Sequence, residues 1–165
     1  MESRWSRDSA VALVSGGAVA YLAVTMQSIL VAVDGSTHSL KGVREAATLA
    51  KAISARLVLV NVLPPILLAP SVYAETIAKL EEANRQAAGQ LLEAAKKVAV
   101  EQGVEVDTVM VTGAPAEAIA ELALADRVWG VVVAAHGHSA VKRVLLGSVT
   151  DRLVHICSKP VLVIR

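Results

Sequence analysis

A doubly wound α/β fold, with five parallel strands and helices on both faces, is what this sequence predicts. Three observations carry that expectation. Short apolar runs rich in Val, Ile and Leu recur from Ile29 to Ile164, and such runs mark strands buried on both faces. Segments of helical period separate them, as crossover connections between parallel strands require. Turn residues stand at the boundaries, as at Asp34-Gly35-Ser36, Thr112-Gly113-Ala114-Pro115 and Lys159-Pro160.

The elements follow in order from Gln27. Ile29 to Val33 is an apolar run ended by Asp34-Gly35-Ser36, hence a buried strand and a turn. Ser36 or Thr37 is placed to cap the next helix. There Leu40, Val43, Ala47 and Ala50 recur at spacings of three and four, with Lys41, Arg44, Glu45, Thr48 and Lys51 on the opposite side. Leu57 to Val62 is a second strand. Pro64 to Val72 holds three of the five prolines and reads as a loop. A long helix is expected over Ala74 to Gln102, with Ile77, Leu80, Ala87, Leu91 and Val98 inward and Gly103 as its stop. Val104 to Val111 alternates as a third strand. Pro115 is placed to open a helix whose buried stripe is Ile119, Leu122 and Ala123. Val128 to Ala135 is a fourth strand, His136 to Leu146 a loop, Ser148 to Ile156 a helix and Pro160 to Ile164 a fifth strand. Alternating strands and helices give a parallel sheet, and such sheets bind ligands beyond the carboxyl ends of their strands.

Composition narrows the function. Sixteen Lys and Arg balance fifteen Asp and Glu, and no charge block suggests a nucleic-acid partner. With no Phe, two Trp and two Tyr, the chain offers no stacking platform for single strands. Cys157 is the only cysteine, which excludes an internal disulfide and fits a reducing, cytoplasmic setting. The four His and one Cys have no zinc spacing.

Residues 1–25 differ from the rest. Arg4 and Arg7 precede an apolar run from Ala10 to Met26, broken by Ser15-Gly16-Gly17. The 17-residue run falls short of the roughly 20 residues that a membrane helix needs, so no membrane contact is expected. The segment reads as a loosely packed extension, or as residues ahead of a natural start at Met26. The domain is then 26–165.

The informative stretch runs from Ala134 to Thr150. Gly137 and Gly147 let backbone approach a ligand closely. The first amides of the following helix, around Ser148, Val149 and Thr150, form a ready anion site, with the hydroxyls of Ser148 and Thr150 as added donors. Lys142 and Arg143 bring positive charge. Ser148 with Asp151 three residues on also resembles a capping box, which explains the serine but not the spaced glycines. No GxxxxGK[ST] loop occurs.

Met26 to Ser36, Leu146 to Leu153 and Lys159 to Ile164 together resemble a universal stress protein, over about residues 26 to 165. The nucleotide-binding branch of that family carries G-x2-G-x9-G-[ST]. The pattern falls here on Ala134, Gly137, Gly147 and Ser148, with alanine at the first position. The resemblance implies bound ATP or AMP, with Mg²⁺ or Mn²⁺ accompanying ATP. It places Asp34 near the ribose and the metal-bound phosphates, Ala32 and Val33 along the adenine, and the Val62 backbone at the adenine edge. His136 and His138 flank Gly137 within reach of phosphate. It also implies a stress-response role and a homodimer through the last strand.

The residues alone leave alternatives open. Asp34 has a lesser reading as the cap of its turn, Val62 equally reads as core, His136 and His138 as exposed loop residues, and His38, His155 and Cys157 as structural or surface. A dimeric interaction protein without nucleotide binding is the competing function, and Ala134 points toward it. Slow ATP hydrolysis is the most enzymatic reading, because no general base or arginine finger is evident. A receiver domain with Asp34 as phosphoacceptor is excluded, since no acid neighbours it in Leu30 to Asp34.

Overall fold

The computed structural model describes residues 11–14, 27–66, 74–137 and 146–165. The strands are β1 (Val11–Val14), β2 (Ser28–Ala32), β3 (Arg56–Leu63), β4 (Val106–Thr112), β5 (Val128–Ala134) and β6 (Val161–Ile164). The helices are α1 (Thr37–Ala52), α2 (Ala74–Glu101), α3 (Pro115–Leu122) and α4 (Ser148–Ile156). All strand pairs are parallel, in the order β1-β4-β3-β2-β5-β6. The five expected strands are β2 to β6. The sixth, β1, comes from the segment read as a loose extension: Val11 to Val14 pair with Thr108 to Val111 at the β4 edge.

Period-two alternation splits the core between two faces. Val31, Leu57 and Leu59 meet Val43, Ala46, Ala47 and Ala50 of α1 and Leu92 and Ala95 of α2. Leu30, Val58, Val60, Val131 and Val133 meet Ile119 of α3 and Leu153 of α4. Small residues on α1 let that helix lie close to the sheet. Between β5 and β6 the approach is closer still: a Cβ on Gly130 would lie 2.7 Å from the Pro160 carbonyl oxygen.

Helix ends follow local chemistry. Ser36 caps α1, its Oγ accepting from the Ser39 amide at 3.1 Å. Gly103, with φ of +73°, ends α2 in the conformation glycine adopts freely. Pro115 opens α3 at its first turn.

The inner face of α2 differs from expectation. Ala88, Leu92, Ala95 and Ala99 are buried, whereas Leu80 is exposed, Ala87 is exposed, and Leu91 and Val98 are half-buried. The Ala stripe lets the helix backbone approach the sheet, and the bulkier residues flank that contact.

Candidate functional site

The strand order reverses between β2 and β5, whose outer neighbours β3 and β6 continue in opposite directions. A crevice opens at such a point because the two following connections leave on opposite faces of the sheet. Here the turn after β2 brings Asp34, and the loop after β5 brings His136 and Gly137. A cleft of about 470 Å³ lies at this place, within the roughly 300–1,000 Å³ range of small-molecule sites. Ala32, Val33, Asp34, Val62, Ala134, His136, Gly137, Gly147, Ser148, Val149 and Thr150 all line it. His138, Lys142 and Arg143 lie outside the described residues.

Asp34 carries out the turn-capping role and faces the glycine loop as well. Its Oδ1 accepts from the Ser36 amide at 2.9 Å. A Cβ on Gly137 would collide with Oδ2 of the same carboxylate. Gly137 is therefore required by a close approach, not by a left-handed backbone. The carboxylate also sits beside the start of α1, where the helix dipole favours negative charge.

Gly147, not Ser148, is the N-cap of α4, with φ of −69° and ψ of 155° and no side-chain capping bond. The capping-box reading of Ser148 and Asp151 is thus replaced: Ser148 is the first helical residue, and its side chain is exposed. The Gly147 amide donates to the Ala135 carbonyl at 2.7 Å, which closes the glycine loop onto the end of β5. The Asp151 amide donates to Gly147 O at 2.8 Å. The amides of Ser148, Val149 and Thr150 precede that bond and have no acceptor within the helix. The start of α1 has its serine cap, while that of α4 presents uncapped amides to the cleft. This is a geometry suited to an anion.

Thr150 contributes differently from expectation. Its hydroxyl donates to the Ala134 carbonyl at 2.7 Å in a buried bond, so it is not a donor to a ligand. Instead it ties the first turn of α4 to the end of β5. Ala134 itself is 8% exposed and lines the cleft.

Asn61, Ser39, Pro115 and Ile119 also line the cleft, although the sequence marked none of them as a site residue. Asn61 had a signal: it is a polar residue inside the apolar run from Leu57 to Val62, and buried polar residues are the informative ones. His38, read as structural or surface, is exposed on α1, and its ring meets that of His136 edge-on with centroids 6.4 Å apart.

Two helices flank the cleft and are braced by Arg152 Nε and Glu117 Oε1 at 2.9 Å. The hydrogen bond from the Arg152 side chain is the main cause holding the Glu117 carboxyl below its usual value. Both side chains are more than half or half exposed, so the pair adds little stability. Among the described residues no three His, Cys, Asp or Glu gather to hold a metal ion. Asp34 is the one carboxylate among the described cleft-lining residues. A single carboxylate fits Mg²⁺, which takes most of its ligands from phosphates and water, and does not fit a metal held by the protein alone. No helix among the described residues is long and apolar enough to cross a membrane.

Comparison with known proteins places this geometry. The universal stress protein family model matches residues 25–165. The chain is 33% identical over 142 residues to universal stress protein MJ0531 of Methanocaldococcus jannaschii, covering 84% of this chain and 82% of that protein. Its fold matches UspA from Lactobacillus plantarum with a TM-score of 0.77 at 23% identity, over 86% of this chain and 99% of that one. A universal stress protein solved in complex with cAMP superposes with a TM-score of 0.61 at 28% identity, over 84% of this chain and 96% of that one. A match running through both the glycine loop and the sheet that carries it makes this chain a member of the universal stress protein family.

Proposed function

We propose that the chain is a regulatory module that binds an adenine nucleotide, ATP or AMP, in the cytoplasm as part of a stress response. The observation that carries the reading is the uncapped start of α4, set against Gly137 and Gly147 inside the cleft. The amides of Ser148, Val149 and Thr150 and the Ser148 hydroxyl would receive the phosphates. Ala32, Val33 and Val62 supply an apolar wall for the base. The relative solved with cAMP supports an adenine nucleotide as the ligand class. A divalent cation bound with ATP would neutralise phosphate charge, and Asp34 is the residue to hold it.

The proposed assembly is a homodimer through β6. Among the described strands β6 pairs with β5 alone, and Leu162 at its middle is 40% exposed. An open apolar strand edge invites pairing with a second copy.

A second reading is an interaction protein of the same fold that has lost nucleotide binding. The observation favouring it is that Ala134 lines the cleft where the motif has glycine. Heat release from purified protein, followed by chromatography, tests the two. An adenine nucleotide in the supernatant supports the first. Its absence, together with no binding of added ATP or AMP, supports the second.

A further inference from the structure

We infer that β1 is an intrachain cap, which closes the β4 edge of the sheet against pairing with a second copy of the chain. The inference stands apart from the nucleotide reading above. The described sheet ends at β1 on one side and at β6 on the other. Without Val11–Val14 the first of these ends would be β4. β1 also precedes residues 25–165, the part that the family model matches, so it is an addition ahead of the family domain.

The sequence of β4 is poorly suited to an open edge. Strands that end a sheet in water carry Lys, Pro or a bulge that deters a second strand. From Thr108 to Thr112 the run Thr-Val-Met-Val-Thr holds no charge, no Pro and no Gly. Short runs of this kind, with high β propensity and low charge, pair readily with copies of themselves. Asp107 is the one charge in the strand, and its carboxylate is engaged by Arg56 Nη1 at 2.7 Å. Thr108, Val109, Met110 and Val111 are each at most 8% exposed, the burial of an inner strand. The register of β1 covers these same four residues, with Val11, Ala12, Leu13 and Val14 opposite them in order.

Backbone direction identifies the groups that the cap occupies. The Gly113 amide donates to the Leu63 carbonyl at 2.9 Å, toward β3. Amides along a strand point to alternate sides. Those of Val111 and Val109 therefore face β3 as well, and those of Thr108 and Met110 face β1. The latter two are the amides that a second copy would take if β1 were displaced.

Hydrogen exchange and sedimentation of the full chain test the cap together. In the parent, the amides of Thr108 and Met110 should be protected like those of Val109 and Val111. Ala12→Pro combined with Leu13→Pro removes two consecutive amides of β1, one of which faces β4. In dilute solution of this variant the Thr108 and Met110 amides should exchange roughly tenfold faster or more, while Val109 and Val111 stay protected by β3. On concentration, sedimentation should show a species larger than any the parent forms, and the two amides should regain protection. Parent amides of Thr108 and Met110 that exchange like free peptide overturn the pairing itself. Equal acceleration of all four amides, an assembly state like the parent's at every concentration, or a larger species without regained protection overturns the cap. A variant that does not fold also overturns it, because β1 would then belong to the core.

Discussion

Replacing Gly147 by Val separates binding from folding more cleanly than any other change at the site. Gly147 has φ of −69° and ψ of 155°, extended backbone open to every L residue. A Cβ there would meet the Ala135 carbonyl oxygen at 3.4 Å, the His136 Cα at 3.7 Å and the Gly137 nitrogen at 4.0 Å, which are ordinary contacts. The backbone therefore accepts a Cβ there, and the preference of glycine over valine at an N-cap costs about 1 kcal/mol, or about 3 °C in Tm for a domain of this size. Binding loses far more. The new Cβ faces the backbone of 135–137, and the two γ methyl groups extend about 1.5 Å further. They occupy the room through which phosphate would reach the amides of Ser148 and Val149. Losing two hydrogen bonds to a charged group at about 1.5–3 kcal/mol each gives roughly a hundredfold or greater loss in affinity. Thermal melting and ATP titration of parent and variant form the assay. A folded variant that binds ATP as tightly as the parent would refute the assignment of phosphate to this loop. Gly137→Ala offers no such separation, because its Cβ would collide with the Asp34 carboxylate.

Three further outcomes follow from the same geometry. Asp34→Asn keeps an oxygen to accept from the Ser36 amide but removes the charge, so binding of Mg²⁺-ATP should weaken several-fold while metal-free AMP is little affected; equal loss for both ligands would place Asp34 away from the cation. Leu162→Lys puts charge on the exposed middle of β6, and sedimentation should show monomer; a persistent dimer would locate the interface elsewhere. Arg152→Met removes the hydrogen bond that lowers the Glu117 carboxyl, so NMR titration should show that group rising toward its usual value. A depressed carboxyl stabilises above its unfolded pKa, and that contribution fades as pH falls through the folded pKa. The parent should thus lose slightly more stability on acidification than the variant, and identical titration curves for Glu117 would contradict the brace.

The strands that build the site were legible because each is a short apolar run with a turn residue at its end. β1 carries the same signal, Val11 to Val14 followed by Ser15-Gly16-Gly17, but lies within a longer apolar stretch that reads as one segment. The stripe of α2 was displaced because alanines on several sides of a long helix leave its facing undecided until the sheet selects one. The glycine loop stood out by two spaced glycines after a buried strand, and the family pattern then marked its positions. The roles of Thr150 and Asn61 were not, because each depends on a carbonyl distant in sequence: Thr150 bonds Ala134 and Asn61 bonds Val33. The parallel pairing of β2 with β3 brings Asn61 to Val33, and the bond from the Gly147 amide to the Ala135 carbonyl brings the start of α4 back to the end of β5.

Calorimetric titration of the parent chain with ATP, AMP and GTP, alongside Ala134→Gly, tests the central claim most directly. The first motif position is the one place where the sequence departs from the glycine pattern, and Ala134 lines the cleft. Its backbone carbonyl, the acceptor for Thr150, is unchanged by the substitution. The account predicts that the parent binds ATP or AMP at submillimolar concentration, on the order of −4 kcal/mol or better, that GTP binds more weakly, and that Ala134→Gly binds equally or more tightly. A parent that binds neither adenine nucleotide at millimolar ligand, with no gain from Ala134→Gly, would contradict it and leave the interaction protein as the function of this fold.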